Sequence, residues 1–139
     1  FSSGDAGPVA QLEDGRVRRF RPWPDAVGSH HGALATDCAG WPVVDILTSH
    51  AGARGALLRA AVSAGAQGVV LAGTGNGSVH KDLVAAAHEA IAQGVRVLRA
   101  SRCQLGGVVG ESQSGLPSTA ELTASQARVK LLLDLVSAP

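Results

Sequence analysis

From residue 41 onward, the apolar positions alternate between the period of strands and the period of helices. Three apolar runs have the length and the β-branched content of buried strands: 43–48, 69–72 and 95–101. Three stretches carry apolar residues at helical spacing: 53–64, 79–93 and 123–136. Gly65 and Gly94 follow the first two helices at the position where a helix often ends. Strands and helices alternating in this way predict a parallel sheet flanked by helices.

The apolar stripes of the three helices predict which side chains face the core. The expected core-facing residues are Leu57, Leu58, Ala61 and Val62 in the first helix, Leu83, Val84, Ala87 and Ile91 in the second, and Val129, Leu132, Leu133 and Val136 in the third. Thr123 and Gln126 have the spacing of a capping box, which predicts where the third helix begins. The Gly/Ser-rich stretch before it reads as a loop with a short strand at 108–109.

The first 40 residues follow a different pattern. Short alternating segments on both sides of Asp14-Gly15 predict a β-hairpin, because Asp-Gly is a favoured two-residue turn. The hairpin has little apolar area of its own, so we expect it to dock on another part of the protein. Residues 22–40 show no sustained period and read as a linker.

The most informative stretch is the glycine loop, which we define as residues 73–78, Gly-Thr-Gly-Asn-Gly-Ser. It follows the second strand directly, and glycine at every second position predicts a tight turn with close backbone approach. Ser78 is expected to cap a helix that begins at Val79. Ligands of α/β sheets bind at the carboxyl ends of the strands, so this loop is the first candidate binding site.

Composition narrows the function classes. The formal net charge is +1, and no apolar run approaches the length that spans a bilayer, so neither a nucleic acid nor a membrane is an expected partner. Cys38 and Cys103 are far apart and are expected to be free thiols, although one bridge stays possible. The sequence has no methionine and begins at Phe1, so we expect it to be a piece of a longer chain.

The glycine loop is compatible with more than one kind of binding site. A phosphate cradle is one alternative, but Ser78 stands where the dinucleotide fingerprint has Gly or Ala. Arg99 and Arg102 follow in place of the acid that binds a ribose, which leaves a 2′-phosphate as the ligand of that alternative. A tight turn without any ligand is the second alternative. We find no nucleophile elbow, no two-histidine metal pair and no complete active site, and no cofactor or metal is expected.

At this point the residues resemble a known family, the bacterial L-asparaginases. Segment 69–78 resembles the family's pattern G-I-V-x-A-G-x-G-N-G-N. Three more segments agree in order and spacing: 43–52 with the strand that opens the family's C-terminal domain, 96–102 with V-V-x-x-S-R, and 122–133 with the final L-x-P-x-K-A-R-x-L-L helix. The opening hairpin through Pro22 resembles D-G-x-V-x-x-x-R-x-P, which ends the family's N-terminal domain.

The resemblance implies a role in substrate positioning rather than in the covalent step. The family's threonine nucleophile and its Thr-Asp-Lys set lie on the N-terminal domain, and none of their motifs occurs here. The last Asn of G-N-G-N supports the polar end of the substrate in a neighbouring subunit's site, and that position is Ser78 here. The resemblance assigns substrate contacts to Ser78, Asn76 and Glu111, the last matching a family glutamate after S-R. Gln126 stands where the family usually has Lys.

The sequence therefore predicts an α/β fold, a small parallel sheet flanked by helices of the Rossmann or flavodoxin kind. We expect residues 1–21 to end a preceding domain, 22–40 to be a linker and 41–139 to be an asparaginase C-terminal-like domain. The expected function is part of an L-asparaginase, a homodimer or homotetramer acting on asparagine or glutamine, in the cytoplasm or periplasm. One alternative is a non-catalytic nucleotide- or phosphate-binding module. A second is a subunit of a transfer-RNA-dependent amidotransferase, but no feature of the sequence supports this second alternative.

Overall fold

The computed structural model describes residues 3–23, 37–110 and 114–138. Its helices and strands, in chain order, are β1 Ala10–Glu13, β2 Arg16–Arg19, β3 Val43–Thr48, α1 Ala56–Ser63, β4 Ala66–Gly73, α2 Lys81–Ala92, β5 Arg96–Ser101 and α3 Ala124–Val136. The α/β class is as predicted. Most of the predicted linker, residues 24–36, lies outside the described residues.

The hairpin forms with the predicted turn. β1 and β2 pair antiparallel with Glu13 opposite Arg16, so Asp14 and Gly15 alone make the turn. Both turn residues have positive φ, 45° and 75°, as the favoured two-residue hairpin turn requires. On one face Leu12 and Val17 are 70% and 65% exposed, which leaves the apolar side of this hairpin open.

The second sheet is parallel and carries the core. Its strand order is β3-β4-β5, so β4 is central, and its residues from Gly68 to Gly73 are all buried. Because side chains alternate along a strand, Val69 and Leu71 face one side of the sheet and Val70 faces the other. Within this sheet, each strand pairs with the strand that precedes it in the chain. The described sheet therefore has no point at which the strand order reverses.

Helices cover both faces of this sheet. One cluster joins Leu58 of α1 and Leu83 of α2 to Val69 and Leu71, and the other joins Leu131 of α3 to Val70. α3 begins with the predicted capping box, in which Thr123 accepts from the N–H of Gln126 and the Gln126 side chain accepts from the N–H of Thr123. α3 is therefore fixed both by its cap and by its packing against the sheet.

The structure corrects several helix and loop details. α1 begins at Ala56 rather than at residue 53, and Leu57, a predicted core residue, is 69% exposed. In α3 the fully buried residues are Ala127 and Leu131, whereas the predicted Val129 is half exposed. The predicted short strand at 108–109 does not form. The core-facing sides predicted for α1 and α3 are partly wrong, because the spacing of apolar residues does not show which side of a helix packs against the sheet.

An ion pair joins α1 to α2 at the surface. Arg59 Nε and Nη2 donate to the two carboxylate oxygens of Glu89, at 2.7 and 2.9 Å. This hydrogen-bonded pair lowers the pKa of Glu89, first through the side-chain hydrogen bond and then through the charge of Arg59.

Glu89→Gln is therefore expected to weaken the pH dependence of stability in acid. A depressed folded-state pKa contributes stability that is complete above the carboxyl's ordinary pKa and is lost as pH falls through the depressed folded-state pKa. The expected effect is small because the pair is exposed. Urea unfolding at several pH values between neutral and acidic measures this effect. If the free energy of unfolding falls equally steeply with decreasing pH in the wild type and in Glu89→Gln, the assignment is contradicted.

Candidate functional site

The candidate site is the carboxyl edge of the parallel sheet, where polar groups from all three strands meet. β4 ends at Gly73 and enters the glycine loop, β3 is followed by Ser49, and β5 ends at Ser101. Ser49 and Ser101 are buried, 3% and 5% exposed. Neither serine is among the predicted site residues Ser78, Asn76 and Glu111.

The glycine loop is a closed turn and not the beginning of a helix. The N–H of Thr74 donates to the carbonyl of Ser78 at 3.0 Å, and the N–H of Ser78 donates back to Thr74 at 2.8 Å. Gly75 and Gly77 make the reversal with φ of 48° and 72°, values that glycine adopts without strain. The predicted cap at Ser78 is therefore wrong. α2 begins at Lys81, and His80 caps it by accepting from the N–H of Asp82 through Nδ1.

Gly73 and Gly77 are also positions where a side chain has no space. A Cβ on Gly73 would lie 2.5 Å from the carbonyl carbon of Gly77, so the two arms of the turn leave no room for a side chain. A Cβ on Gly77 would lie 2.8 Å from Val108. Close backbone approach, which the sequence predicted, is thus required at Gly73, whereas Gly77 leaves room for the Val108 side chain.

Neighbouring segments fasten the loop on several sides. Ser101 Oγ donates to the carbonyl of Gly75 at 2.6 Å. Ser49 Oγ accepts from the N–H of His80 at 2.9 Å, which ties the chain two residues beyond the loop to the residue that follows β3. The N–H of Arg102 donates to the carbonyl of Gly73 at 2.9 Å. The loop is consequently a fixed feature of the sheet edge.

The three predicted site residues have different surroundings. Ser78 is exposed beside the N-terminus of α2. Asn76 is also exposed, but its side chain pairs with the backbone of Val109: Nδ2 donates at 2.8 Å and Oδ1 accepts at 2.6 Å. This leaves one N–H of the amide and one lone pair for a ligand. Glu111 lies outside the described residues.

Arg99 and Arg102, the candidates for a 2′-phosphate, also differ from each other. Arg102 is exposed, whereas Arg99 is 3% exposed and its guanidinium donates to backbone carbonyls inside the protein. A dinucleotide crevice would also need a reversal of strand order, which the described sheet lacks. Thr74, Ser78 and His80 use their N–H groups internally. These contacts do not favour the phosphate-binding alternative.

Two surface grooves lie away from this edge. The larger, about 510 Å³, is an apolar groove on α3 lined by Leu122, Ser125, Gln126, Val129, Lys130 and Leu133. The smaller, about 200 Å³, lies between α1 and α2 beside the Arg59–Glu89 pair. The charged side chains beside the smaller groove, Arg59 and Glu89, hydrogen-bond to each other.

Other kinds of site find no support in the part of the chain that is described. Residues 3–23, 37–110 and 114–138 contain no group of His, Cys, Asp and Glu side chains arranged to hold a metal ion. Within the same ranges, no helix is long and apolar enough to cross a membrane. Cys38 and Cys103 are both free and exposed.

Comparisons with known proteins agree on one family. Residues 43–137 match the family model of the glutaminase/asparaginase C-terminal domain. L-asparaginase 2 of Bacillus subtilis is 36% identical over 97 residues, which cover 68% of this chain and 26% of the relative. L-asparaginase 2 of Escherichia coli is 29% identical over 140 residues, covering 97% of this chain and 40% of the relative.

A solved structure shares the fold over almost the whole chain. The crystal structure of a probable cytoplasmic L-asparaginase from Campylobacter jejuni matches with a TM-score of 0.79 and 30% identity. The match covers 99% of this chain and 43% of that structure. The chain thus spans less than half the length of each of these relatives.

Proposed function

The chain belongs to the glutaminase/asparaginase C-terminal domain family, and from that premise we propose that it is the C-terminal part of an amidohydrolase acting on L-asparagine. The reaction adds water across the side-chain amide and releases L-aspartate and ammonia. The nucleophile that forms the acyl-enzyme lies on a preceding domain in this proposal. Residues 1–21 end that domain, 22–40 link it, and 41–139 form the C-terminal domain.

The observation that carries the proposal is the glycine loop, which lies inside the family match. It is a closed turn, fastened by Ser49 and Ser101, that holds Ser78 and Asn76 exposed at the carboxyl edge of the sheet. Such an arrangement can present hydrogen-bonding groups to a substrate that is held mainly elsewhere. A fixed loop also avoids the entropy cost of ordering the binding groups when the substrate arrives.

In the proposed site, Ser78 and Asn76 hydrogen-bond the polar end of the substrate. Glu111, which rests on the resemblance alone, contributes a carboxylate that can accept from the substrate's ammonium group. The site belongs to a neighbouring subunit, so the active protein is a homo-oligomer in this proposal. The open apolar face of Leu12 and Val17 supports a preceding domain, because such side chains are usually covered in the complete protein.

Ser78→Ala in the complete protein tests the assignment of the loop. Losing one substrate hydrogen bond costs about 0.5–1.5 kcal/mol, which corresponds to a rise in KM of about twofold to tenfold. We expect kcat to change much less, because the group binds the part of the substrate that does not react. Ser78→Asn, which restores the family's amide at this position, should lower KM below that of the wild type.

Ser63→Ala is the matched control, since Ser63 is an exposed serine at the end of α1, away from the sheet edge. It should leave both constants unchanged. Steady-state kinetics with asparagine and glutamine give the readout. A Ser78→Ala variant with wild-type KM for both substrates would remove Ser78 from the site.

A further inference from the structure

Arg99 is a buried arginine whose guanidinium reaches three separate backbone segments. It lies on β5 and is 3% exposed. Nε donates to the carbonyl of Leu116 at 3.2 Å, Nη1 to that of Asn76 at 3.0 Å and Nη2 to that of Gly110 at 3.2 Å. One side chain therefore holds the glycine loop and the segment around Gly110 at the same time.

The partners of Arg99 are unusual for a buried charge. All three hydrogen bonds go to neutral carbonyls, and the guanidinium forms no ion pair within the described residues. Removing a guanidinium from water is costly, and apolar side chains of similar volume often give equal or better stability. Stability is thus a poor explanation for arginine here, whereas the planar fork suits several acceptors at fixed positions.

The surrounding residues are arranged so that this fork can reach the loop. A Cβ on Gly77 would lie 3.1 Å from Nη1 and 2.8 Å from Val108, so only glycine leaves room for both. The same two segments also meet directly through the hydrogen bonds between the Asn76 side chain and the backbone of Val109. The glycine loop and residues 108–110 consequently form one unit with Arg99 beneath it.

We propose that Arg99 is a positioning residue for substrate binding, which acts by fixing the glycine loop against residues 108–110. The proposal rests on the proposed function, since it assigns a purpose to the same edge of the sheet. Arg99 donates to the backbone and does not touch the substrate. Without its fork, Asn76 and Ser78 would sample more arrangements, and the substrate would bind more weakly.

Arg99→Lys in the complete protein tests this directly, because it keeps the charge and loses the fork. A lysine ammonium cannot span three carbonyls on three segments, so we expect KM for asparagine to rise about tenfold or more with kcat within about threefold. Arg99→Gln, a neutral donor, should behave in the same way. A merely structural role would instead reduce the amount of folded enzyme, which lowers apparent kcat and leaves KM unchanged.

Arg96→Lys is the matched control, since Arg96 lies on the same strand, is half exposed and pairs with Asp134 at 3.9 Å. It should keep the wild-type KM. Amide hydrogen exchange gives a readout independent of activity: in Arg99→Lys, exchange should speed up in peptides covering 74–78 and 107–110 while β4 stays protected. All assays are made below the unfolding midpoint of each variant.

The outcomes separate the two proposals. Wild-type KM in folded Arg99→Lys and Arg99→Gln overturns the role of Arg99. Failure of both variants to fold, while Arg96→Lys folds, also overturns it by making Arg99 a folding determinant. If the wild-type protein hydrolyses neither asparagine nor glutamine, the proposed function fails, and the exchange data alone then decide whether Arg99 holds the two segments.

Discussion

Gly73→Ala is expected to destabilise the protein by about 3 kcal/mol, because the added methyl group has no space and its neighbours are backbone atoms. The new Cβ would lie 2.5 Å from the carbonyl carbon of Gly77 and 2.6 Å from the carbonyl oxygen of Ser78. Relief requires the two arms of the turn to separate, which breaks the paired hydrogen bonds between Thr74 and Ser78. The same movement displaces Ser78, so substrate affinity should fall with stability.

Equilibrium urea unfolding measures this effect, and Gly40→Ala is its control. Gly40 is exposed, and a Cβ there would meet no atom within 4 Å. The control should therefore stay within about 0.5 kcal/mol of the wild type. A Gly73→Ala variant as stable as Gly40→Ala would mean that the turn is wider than described.

Leu131→Ala is expected to cost about 2–5 kcal/mol, the range for large-to-small changes in a well-packed core. Leu131 is fully buried and packs with Val44, Val70, Ala100 and Ala127 between α3 and the sheet. It lies so close to β4 that a Cβ on Gly68 would be 2.9 Å from its Cδ2. Since the backbone of β4 is already at close contact, the structure has little freedom to fill the cavity.

Leu57→Ala is the control for Leu131→Ala, because it makes the same substitution at an exposed position. Leu57 is 69% exposed on α1, so its truncation should change the free energy of unfolding by less than about 0.5 kcal/mol. Urea unfolding of the two variants side by side gives the comparison. Similar losses of stability in both would contradict the assignment of Leu131, rather than Leu57, to the core.

The fold could be predicted from the sequence where the signals are local. Strand β3, the Asp14-Gly15 turn and the Thr123–Gln126 capping box depend on residues a few positions apart, and all three form as predicted. The alternation of strands and helices then restricts the topology to a parallel sheet.

Errors arose where tertiary contacts decide the outcome. Helical spacing predicted Leu57 as a core residue and did not include Leu131, yet packing against the sheet buries Leu131 and leaves Leu57 exposed. Ser78 is a good cap by residue type, but its backbone is used in pairing with Thr74, so the cap passes to His80. Local propensity does not include such competition.

The candidate site shows the same division. The glycine loop was recognisable from its spacing and from the family pattern. The interior role of Arg99 was not, because its acceptors lie 11 to 23 positions away along the chain. Nothing in the neighbourhood of Arg99 in the sequence distinguishes an arginine that binds a ligand from one that holds two loops together. The anchoring roles of Ser49 and Ser101 could not be predicted either, because their hydrogen-bond partners lie 31 and 26 positions away.

The measurement that tests the central claim most directly is ammonia release from L-asparagine and L-glutamine. It compares the protein expressed from its complete coding sequence with the 139-residue chain alone. We expect the complete protein to release one ammonia for each aspartate or glutamate formed. We expect none from the chain alone, since binding groups without a nucleophile cannot form the covalent intermediate. Ammonia release by the isolated chain, or its absence in the complete protein, would contradict the account.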